Sequence, residues 1–274
     1  IQGGLWDGKS LYELYSEAHT PFEWHEELFK HAKGLDITLF SSPFDETAVD
    51  LLEELKVPAY KIASFELCDI PLIEYVAKKQ KPIFISTGLA KLDEISEAVQ
   101  TIRKFSQNEI LIFHCISSYP APIEEANLRN IPFLRKKFNL EIGLSDHTIG
   151  NTAAISAITM GAAAIEKHFT LSRNQKGPDS AFSIEPEELS TLIKECNNAW
   201  LATNQEGFNR AKSEEKNLIF RRSIYFIKDI KSGEKVTSKN VKRIRPGNGL
   251  APKYYQDILG RKVLKDVKRG DPVS

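Results

Sequence analysis

The feature that most restricts what this chain can fold into is a repeat, in which a short apolar run of strand character is followed by a stretch of helical period, six times in succession. Strand signals fall at 37–44, 59–64, 82–87, 109–115, 141–145 and 163–168, and helical periodicity at 46–55, 71–78, 92–105, 131–138, 151–160 and 186–200. Strands separated by helices do not return through hairpins, so the pattern predicts a parallel sheet with right-handed crossovers. An open doubly wound sheet and a closed (β/α)8 TIM barrel both satisfy it. No G-x-G-x-x-G follows any strand, which removes the dinucleotide-binding fingerprint. Polar residues instead fall at the C-terminal strand ends, among them Ser42, Ser64, Thr87, Ser117, His147 and His168, where barrel enzymes build their sites. The expectation is therefore an α/β TIM barrel. A closed barrel needs eight units, and Ile1-Gln2-Gly3-Gly4 opens without a strand or capping signal, so the first two βα units are expected to be missing ahead of it. Residues 9–33 read as two helices broken at Thr20-Pro21, the second capped by Thr20.

Beyond Gly207 the pattern changes. Residues 206–220 are polar and charged and read as a linker or a solvated helix, and 221–274 as a small, turn-rich, mostly β domain, leaving 1–205 as the barrel. Charge marks the same boundary. Lys and Arg number 37, as do Asp and Glu, yet 221–274 holds fifteen basic against five acidic residues. The overall balance argues for neither a nucleic-acid nor a membrane partner. No apolar run reaches the roughly 18 residues of a membrane span. Cys68, Cys115 and Cys196 have no C-x-x-C spacing, which fits a reducing, cytoplasmic setting better than a disulfide framework. Asp229 to Glu234 is weakly echoed by Asp266 to Asp271.

His147 and His168 stand at equivalent positions of consecutive units, so in a parallel sheet two imidazoles meet on one rim. Imidazole suits Zn²⁺, Mn²⁺, Fe²⁺ or Co²⁺, although each ring could equally be a buried hydrogen-bonding residue. Lys61 lies inside an apolar run, where a charge is costly without a partner. It meets either an anionic ligand or a carboxylate, Glu66 or Glu166. Ser42, Ser64 and Ser145 add donors suited to phosphate or carboxylate oxygens. Asp179, in the turn 176–180, is either a base or hydroxyl acceptor or an ordinary turn residue. Arg245 opens the rigid turn Arg245-Pro246-Gly247-Asn248-Gly249, and its fork suits a carboxylate or amide oxygen.

In order and spacing, the motifs at 58–64, Ser86-Thr87-Gly88, His114-Cys115, Tyr119-Pro120, 143–148, Glu166-Lys167-His168-Phe169, Gly177-Pro178-Asp179 and Arg245-Pro246-Gly247-Asn248-Gly249 resemble the sialic acid synthase family. The opening segment, with Trp6 and Thr20-Pro21-Phe22-Glu23-Trp24-His25, is more similar to its pseudaminic than to its N-acetylneuraminate branch. The resemblance implies a TIM barrel followed by an antifreeze-like (SAF) domain, swapped between the subunits of a homodimer. It implies condensation of phosphoenolpyruvate with an acetamido sugar, releasing phosphate and forming a nine-carbon 2-keto acid. His147 and His168 match ligands of a divalent metal, Mn²⁺ in the first place, with Mg²⁺ or Co²⁺ as alternatives. Ser42, Ser64, Ser117, Ser145 and Lys61 match phosphoenolpyruvate contacts. Phe44, Tyr119 and Asp179 match residues around the sugar, and Arg245 an arginine from the partner. Glu66 joins the substrate-binding set, and Glu166 the catalytic set with Lys61, Tyr119 and Asp179. Ser117 stands where the neuraminate branch commonly has Asn. Outside this family, another metal-dependent barrel aldolase or isomerase would share the two histidines, and a glycan-binding protein would use the barrel as a scaffold.

Overall fold

The computed structural model describes residues 7–175, 177–203 and 205–274. Residues 1–6 and Lys176, on which the abrupt start, Trp6 and part of the 176–180 turn rested, lie outside the described residues. Two compact units divide the chain, residues 1–205 and 206–274.

The first unit is built on a parallel sheet of β1 (Tyr60–Ile62), β2 (Ile83–Ser86), β3 (Ile110–Cys115), β4 (Glu141–Asp146) and β5 (Ile165–Lys167), which pair in chain order. The order never reverses, so the sheet curls in one direction as a TIM barrel does, and a doubly wound sheet, which needs a switch point, is excluded. Helices α4 (Ile70–Ala77), α5 (Leu92–Phe105), α6 (Asn130–Phe138) and α7 (Thr152–Thr159) make the crossovers, and α3 (Glu46–Glu54) and α8 (Pro186–Thr203) flank them. The side-chain period of two sorts each strand. Ile62, Ile85, Ile112 and Ile142 are register partners across four strands, and all are 0% exposed beneath the helices. Each contributes roughly 1.5–3 kcal/mol of burial. Their sequence neighbours face the barrel interior, where the rings of Phe40, Phe84 and Phe113 pack in succession, 5.0 and 6.1 Å apart. Gly143 has to be small, because a Cβ there would lie 2.6 Å from the Phe113 ring.

Two local expectations are corrected. The strand expected at 37–44 is a single bridge, Ser41 to Tyr60. Phe40 supplies its interior ring, yet Lys61 N–H to Ser41 C=O, 3.3 Å, is the contact on its β1 side. Thr20 caps no helix. After α1 (Leu11–Ala18) the chain makes a 3₁₀ turn, Phe22–Trp24, that runs directly into α2 (His25–Gly34), so α2 begins without a side-chain cap. Within the 206–220 segment, Lys212–Phe220 forms 3₁₀ structure grouped with the second unit, where the Gly247 N–H donates to the Ile219 carbonyl at 2.9 Å.

In the second unit β6 (Ser223–Phe226) and β7 (Val241–Ile244) pair antiparallel over a core that includes Ile224, Ile230, Val236, Val241 and Val267. The two echoing segments meet. Ile230 and Val267 exchange both backbone hydrogen bonds at 2.9 Å, so the sequence echo is a pair of equivalent turns. Helix α9 (Tyr255–Ile258) is one short turn.

Candidate active site

Lys61 sits on the inward face of β1, because its neighbours Tyr60 and Ile62 are fully buried on the helix side. Its ammonium reaches across the barrel to β5 and donates to both carboxylate oxygens of Glu166, at 2.9 and 2.7 Å. Ser145, the register partner of Glu166, donates to the same carboxylate at 2.7 Å. Of the two carboxylates the sequence offered Lys61, Glu166 is the one bound. Burial works to raise the Glu166 pKa, but the Lys61 charge and the hydrogen bonds from Lys61 and Ser145 outweigh it and hold the carboxyl below its usual range.

The two imidazoles meet, with ring centroids 5.2 Å apart. His147 Nδ1 lies 2.8 Å from the Ile116 carbonyl, and His168 Nδ1 lies 3.3 Å from a carboxylate oxygen of Asp179. Each contact suits an Nδ1–H donor, which leaves Nε2 as the ring's lone-pair nitrogen, the arrangement found around metal-bound histidines. No group of three or more potential metal-ligating side chains occurs among the described residues. Tyr119 covers both rings, at 4.4 Å from His147 and 5.9 Å from His168, and burial raises its pKa.

A serine cluster continues from the histidines. Cys115 Sγ lies 3.8 Å from His147 Nδ1, 3.7 Å from Ser117 Oγ and 3.5 Å from Ser64 Oγ. Burial opposes charge on both members of the Cys115–His147 contact, but the contact itself draws the thiol down and the imidazole up. Ser64 accepts from the Gly88 N–H at 3.1 Å, and a Cβ at Gly88 would collide with Ser117 Oγ at 1.9 Å. Ser42 and Phe44 line a cavity of about 510 Å³ that Lys61 and Glu166 also reach.

Lys61, Ser145 and Glu166 are thus linked by direct contacts, as are His147, His168, Tyr119 and Asp179, with Ser64 and Ser117 joined to His147 through Cys115, and Ser42 and Phe44 share a cavity with Lys61 and Glu166. Two expected residues stand apart. Arg245 belongs to the second unit. Glu66 has one buried carboxylate oxygen, Oε2, with no hydrogen-bond partner among the described residues, and burial raises its pKa. A carboxyl whose folded pKa is raised loses stability as pH rises through the window above its unfolded value of about 4.3. Glu66→Met is therefore expected to stabilise the protein by about 1 kcal/mol at pH 7 and to lose that gain below about pH 4, as urea unfolding at both pH values would show. If the gain persists at low pH, charge burial is not its cause.

His114, on the helix-facing side of β3, is bonded to the Ala126 carbonyl at 2.8 Å and its pKa is lowered by burial, a structural role. His25 likewise binds the Pro21 carbonyl. Two contributors escaped the sequence reading. Cys115 has the same inward parity as Phe113, and strand alternation could have found it. Phe182, 4.9 Å from His168 and 5.5 Å from Tyr119, follows a turn and has no periodic signal.

A parallel sheet curling in chain order, with its ionisable side chains gathered at the C-terminal strand ends, defines a TIM-barrel-like enzyme. The chain belongs to the NeuB family, whose model matches residues 2–207, and a SAF domain follows at 221–274. Pseudaminic acid synthase of Helicobacter pylori is 46% identical over all of this chain and 81% of its own length. N,N'-diacetyllegionaminic acid synthase of Campylobacter jejuni is 38% identical over 96% of this chain and 80% of its own. The crystal structure of N-acetylneuraminic acid synthetase from Leptospira borgpetersenii superposes with a TM-score of 0.71 at 32% identity, covering 75% of this chain and 72% of that one.

Proposed function

We propose that the protein condenses phosphoenolpyruvate with an acetamido deoxy-hexose, in the manner of a pseudaminic acid synthase, and releases phosphate with a nine-carbon 2-keto acid. The observation that carries this reading is the buried Lys61 ammonium, ringed by Ser145 and Glu166 on the same rim as two imidazoles 5.2 Å apart. A three-carbon anion needs such a cation and hydroxyl donors, and an aldehyde needs an electrophilic activator beside it.

In the reaction C3 of phosphoenolpyruvate forms a bond to the sugar's aldehyde carbon, whose oxygen takes a proton. Water adds to the cationic C2 and gives up a proton, and the tetrahedral intermediate collapses to the ketone as the C–O bond to phosphate breaks. Lys61 and Ser145 orient the anion, with Ser42, Ser64 and Ser117 as further donors. Tyr119, Phe44 and Asp179 hold the sugar, and Asp179 also orients His168. His147 and His168 would hold a divalent metal, Mn²⁺ as the family resemblance implies, which when bound supplies Lewis acidity at the aldehyde oxygen. Arg245 is proposed to come from the partner's SAF domain in a homodimer, and mixed dimers with Arg245→Ala in one subunit should then lose one of two sites. No helix among the described residues is long and apolar enough to cross a membrane, and a phosphoenolpyruvate-dependent reaction fits the cytoplasm.

The test is phosphate release by the full chain with phosphoenolpyruvate, Mn²⁺ and a panel of acetamido hexoses. Release with a 2,4-diacetamido-2,4,6-trideoxy hexose of altro configuration is expected. Preference for the legionaminate precursor or N-acetylmannosamine would support the second reading, which the 38% identity to a legionaminic acid synthase favours. Release with none of them would refute the reaction class.

A further inference from the structure

The ladder between β4 and β5 ends at the register pair Asp146 and Lys167, one residue before each histidine. Past that point the backbones turn to other neighbours. The His147 carbonyl accepts from the Ala121 N–H at 2.9 Å, and the His168 carbonyl from the Ile184 N–H at 2.8 Å. Strand alternation puts Asp146 and Lys167 on the side opposite Ser145 and Glu166, and Lys167 shares a cavity of about 270 Å³ with Glu188 of α8. There the two side chains form an ion pair at 2.8 Å, with Asp146 1% and Lys167 6% exposed. The Lys167 ammonium also donates to the Thr148 carbonyl at 2.7 Å, and the Asp146 carboxylate accepts from the Thr148 N–H at 2.9 Å and its hydroxyl at 2.8 Å. Both residues flanking His147 are thus tied to the residue that precedes His168. Replacing a buried ion pair by apolar side chains is often neutral or stabilising, so stability alone does not account for this one.

We propose that Asp146 and Lys167, with Thr148, are positioning residues that fix the spacing and tilt of the His147 and His168 rings from behind the sheet, and so set the affinity of that pair for a divalent cation. This rests on the metal site of the proposed function. The Nδ1 contacts to Ile116 and Asp179 orient each ring, but neither contact joins one strand end to the other. The Asp146–Lys167 pair does, and the Lys167 bond to Thr148 reaches past His147 to hold the far side of its turn. With the ring centroids 5.2 Å apart, a cation shared by both rings tolerates little drift, since ligands have to be held within about 0.5 Å and 10–20° of their productive geometry. The pair touches neither the cation nor the substrates, and acts only through the histidines.

The experiment measures Mn²⁺ binding by electron paramagnetic resonance, and urea unfolding, on the full chain. Lys167→Met leaves Asp146 buried without its cation, and should both lower the unfolding midpoint and weaken Mn²⁺ binding. The double variant Asp146→Leu/Lys167→Met removes both charges and should return the midpoint to the parent's or above, yet bind Mn²⁺ about 10- to 100-fold more weakly than the parent. Lys167→Arg keeps the cation, has room for its larger head in the adjoining cavity, and should keep most of the affinity. A double variant that binds Mn²⁺ as tightly as the parent overturns the assignment, because packing alone would then hold the rings. If the double variant does not fold, Thr148→Val decides, since it removes only the hydroxyl's bond to Asp146. Binding roughly 3- to 10-fold weaker is then expected, and undiminished binding overturns the assignment. A parent that binds no Mn²⁺ removes the metal from the proposed function and this assignment with it.

Discussion

Glu166→Met is expected to destabilise the barrel unit more than Lys61→Met, although the two residues share one ion pair. The asymmetry lies in their surroundings. The Lys61 side chain is 9% exposed and that of Glu166 38%. Removing Lys61 leaves a carboxylate that still accepts from Ser145 and reaches water. Removing Glu166 leaves an ammonium enclosed in the barrel, 5.3 Å from the Phe113 ring centroid, without its anion. Uncompensated buried charge costs about 3–5 kcal/mol, so Glu166→Met should fall near that range. Solvent screening of the half-open carboxylate discounts Lys61→Met to about 1–2 kcal/mol. The double substitution should recover most of the loss, since it removes both charges. Because the Glu166 pKa is held below its usual range, the pair's stabilisation is fully present above the unfolded carboxyl value, about 4.3, and is lost as pH falls through the folded one. Urea unfolding at pH 7 and at low pH measures all four proteins. Equal costs for the two single substitutions would mean that the carboxylate is no better solvated than the ammonium. Both single variants should also lose about 10²–10³ in kcat/KM for phosphoenolpyruvate, because in the proposed reaction Lys61 binds the anion and Glu166 aims the ammonium.

Much of this site follows from periodicity. A strand places alternate residues on one face, so Lys61 inside an otherwise apolar run and Ser145, out of phase with the buried Ile142 and Leu144, could be assigned to the interior without coordinates. One strand-helix unit in register with the next then carries His147 to His168. The strand at 37–44 misled for the same reason that the others succeeded. Its apolar residues have strand character, but pairing needs a neighbour, and the described residues give it β1 alone, so Phe40 packs inward while the backbone makes one bridge. Thr20 misled because a capping residue followed by Pro is also compatible with a 3₁₀ turn, and tertiary packing of His25 against Pro21 decided for the turn. Glu66 and Glu166 were equal partners for Lys61 by sequence. Only the register Ser145 to Glu166 distinguishes them, and register is not written in any single segment. The placement of Arg245 depends on a second unit with its own core, which no local pattern in the barrel encodes.

Removal of divalent metal is expected to abolish phosphate release, with Mn²⁺ restoring it and Mg²⁺ or Co²⁺ as weaker substitutes. The reason is charge. On the rim the Lys61 ammonium is already balanced by Glu166, and Asp179 beside His168 adds a further carboxylate. A phosphorylated carboxylic acid brought to this rim meets no net positive charge from these groups, and bringing like charges together in a partly desolvated cavity is unfavourable. A dication between His147 and His168 would reverse that balance, and both rings hold Nδ1 against an acceptor so that Nε2 is available. Mn²⁺ binding followed by electron paramagnetic resonance separates this from catalysis. His147→Ala and His168→Ala should each weaken binding by more than about 100-fold, and Asp179→Asn, which removes only the orienting charge, by about 10- to 100-fold. The His168 rings in Asp179→Asn and parent are otherwise equivalent, so a loss confined to the alanine variants would make Asp179 a sugar contact alone. Undiminished Mn²⁺ binding by His147→Ala would remove the metal from this pair of strand ends, and the anion would then need its compensating charge from elsewhere.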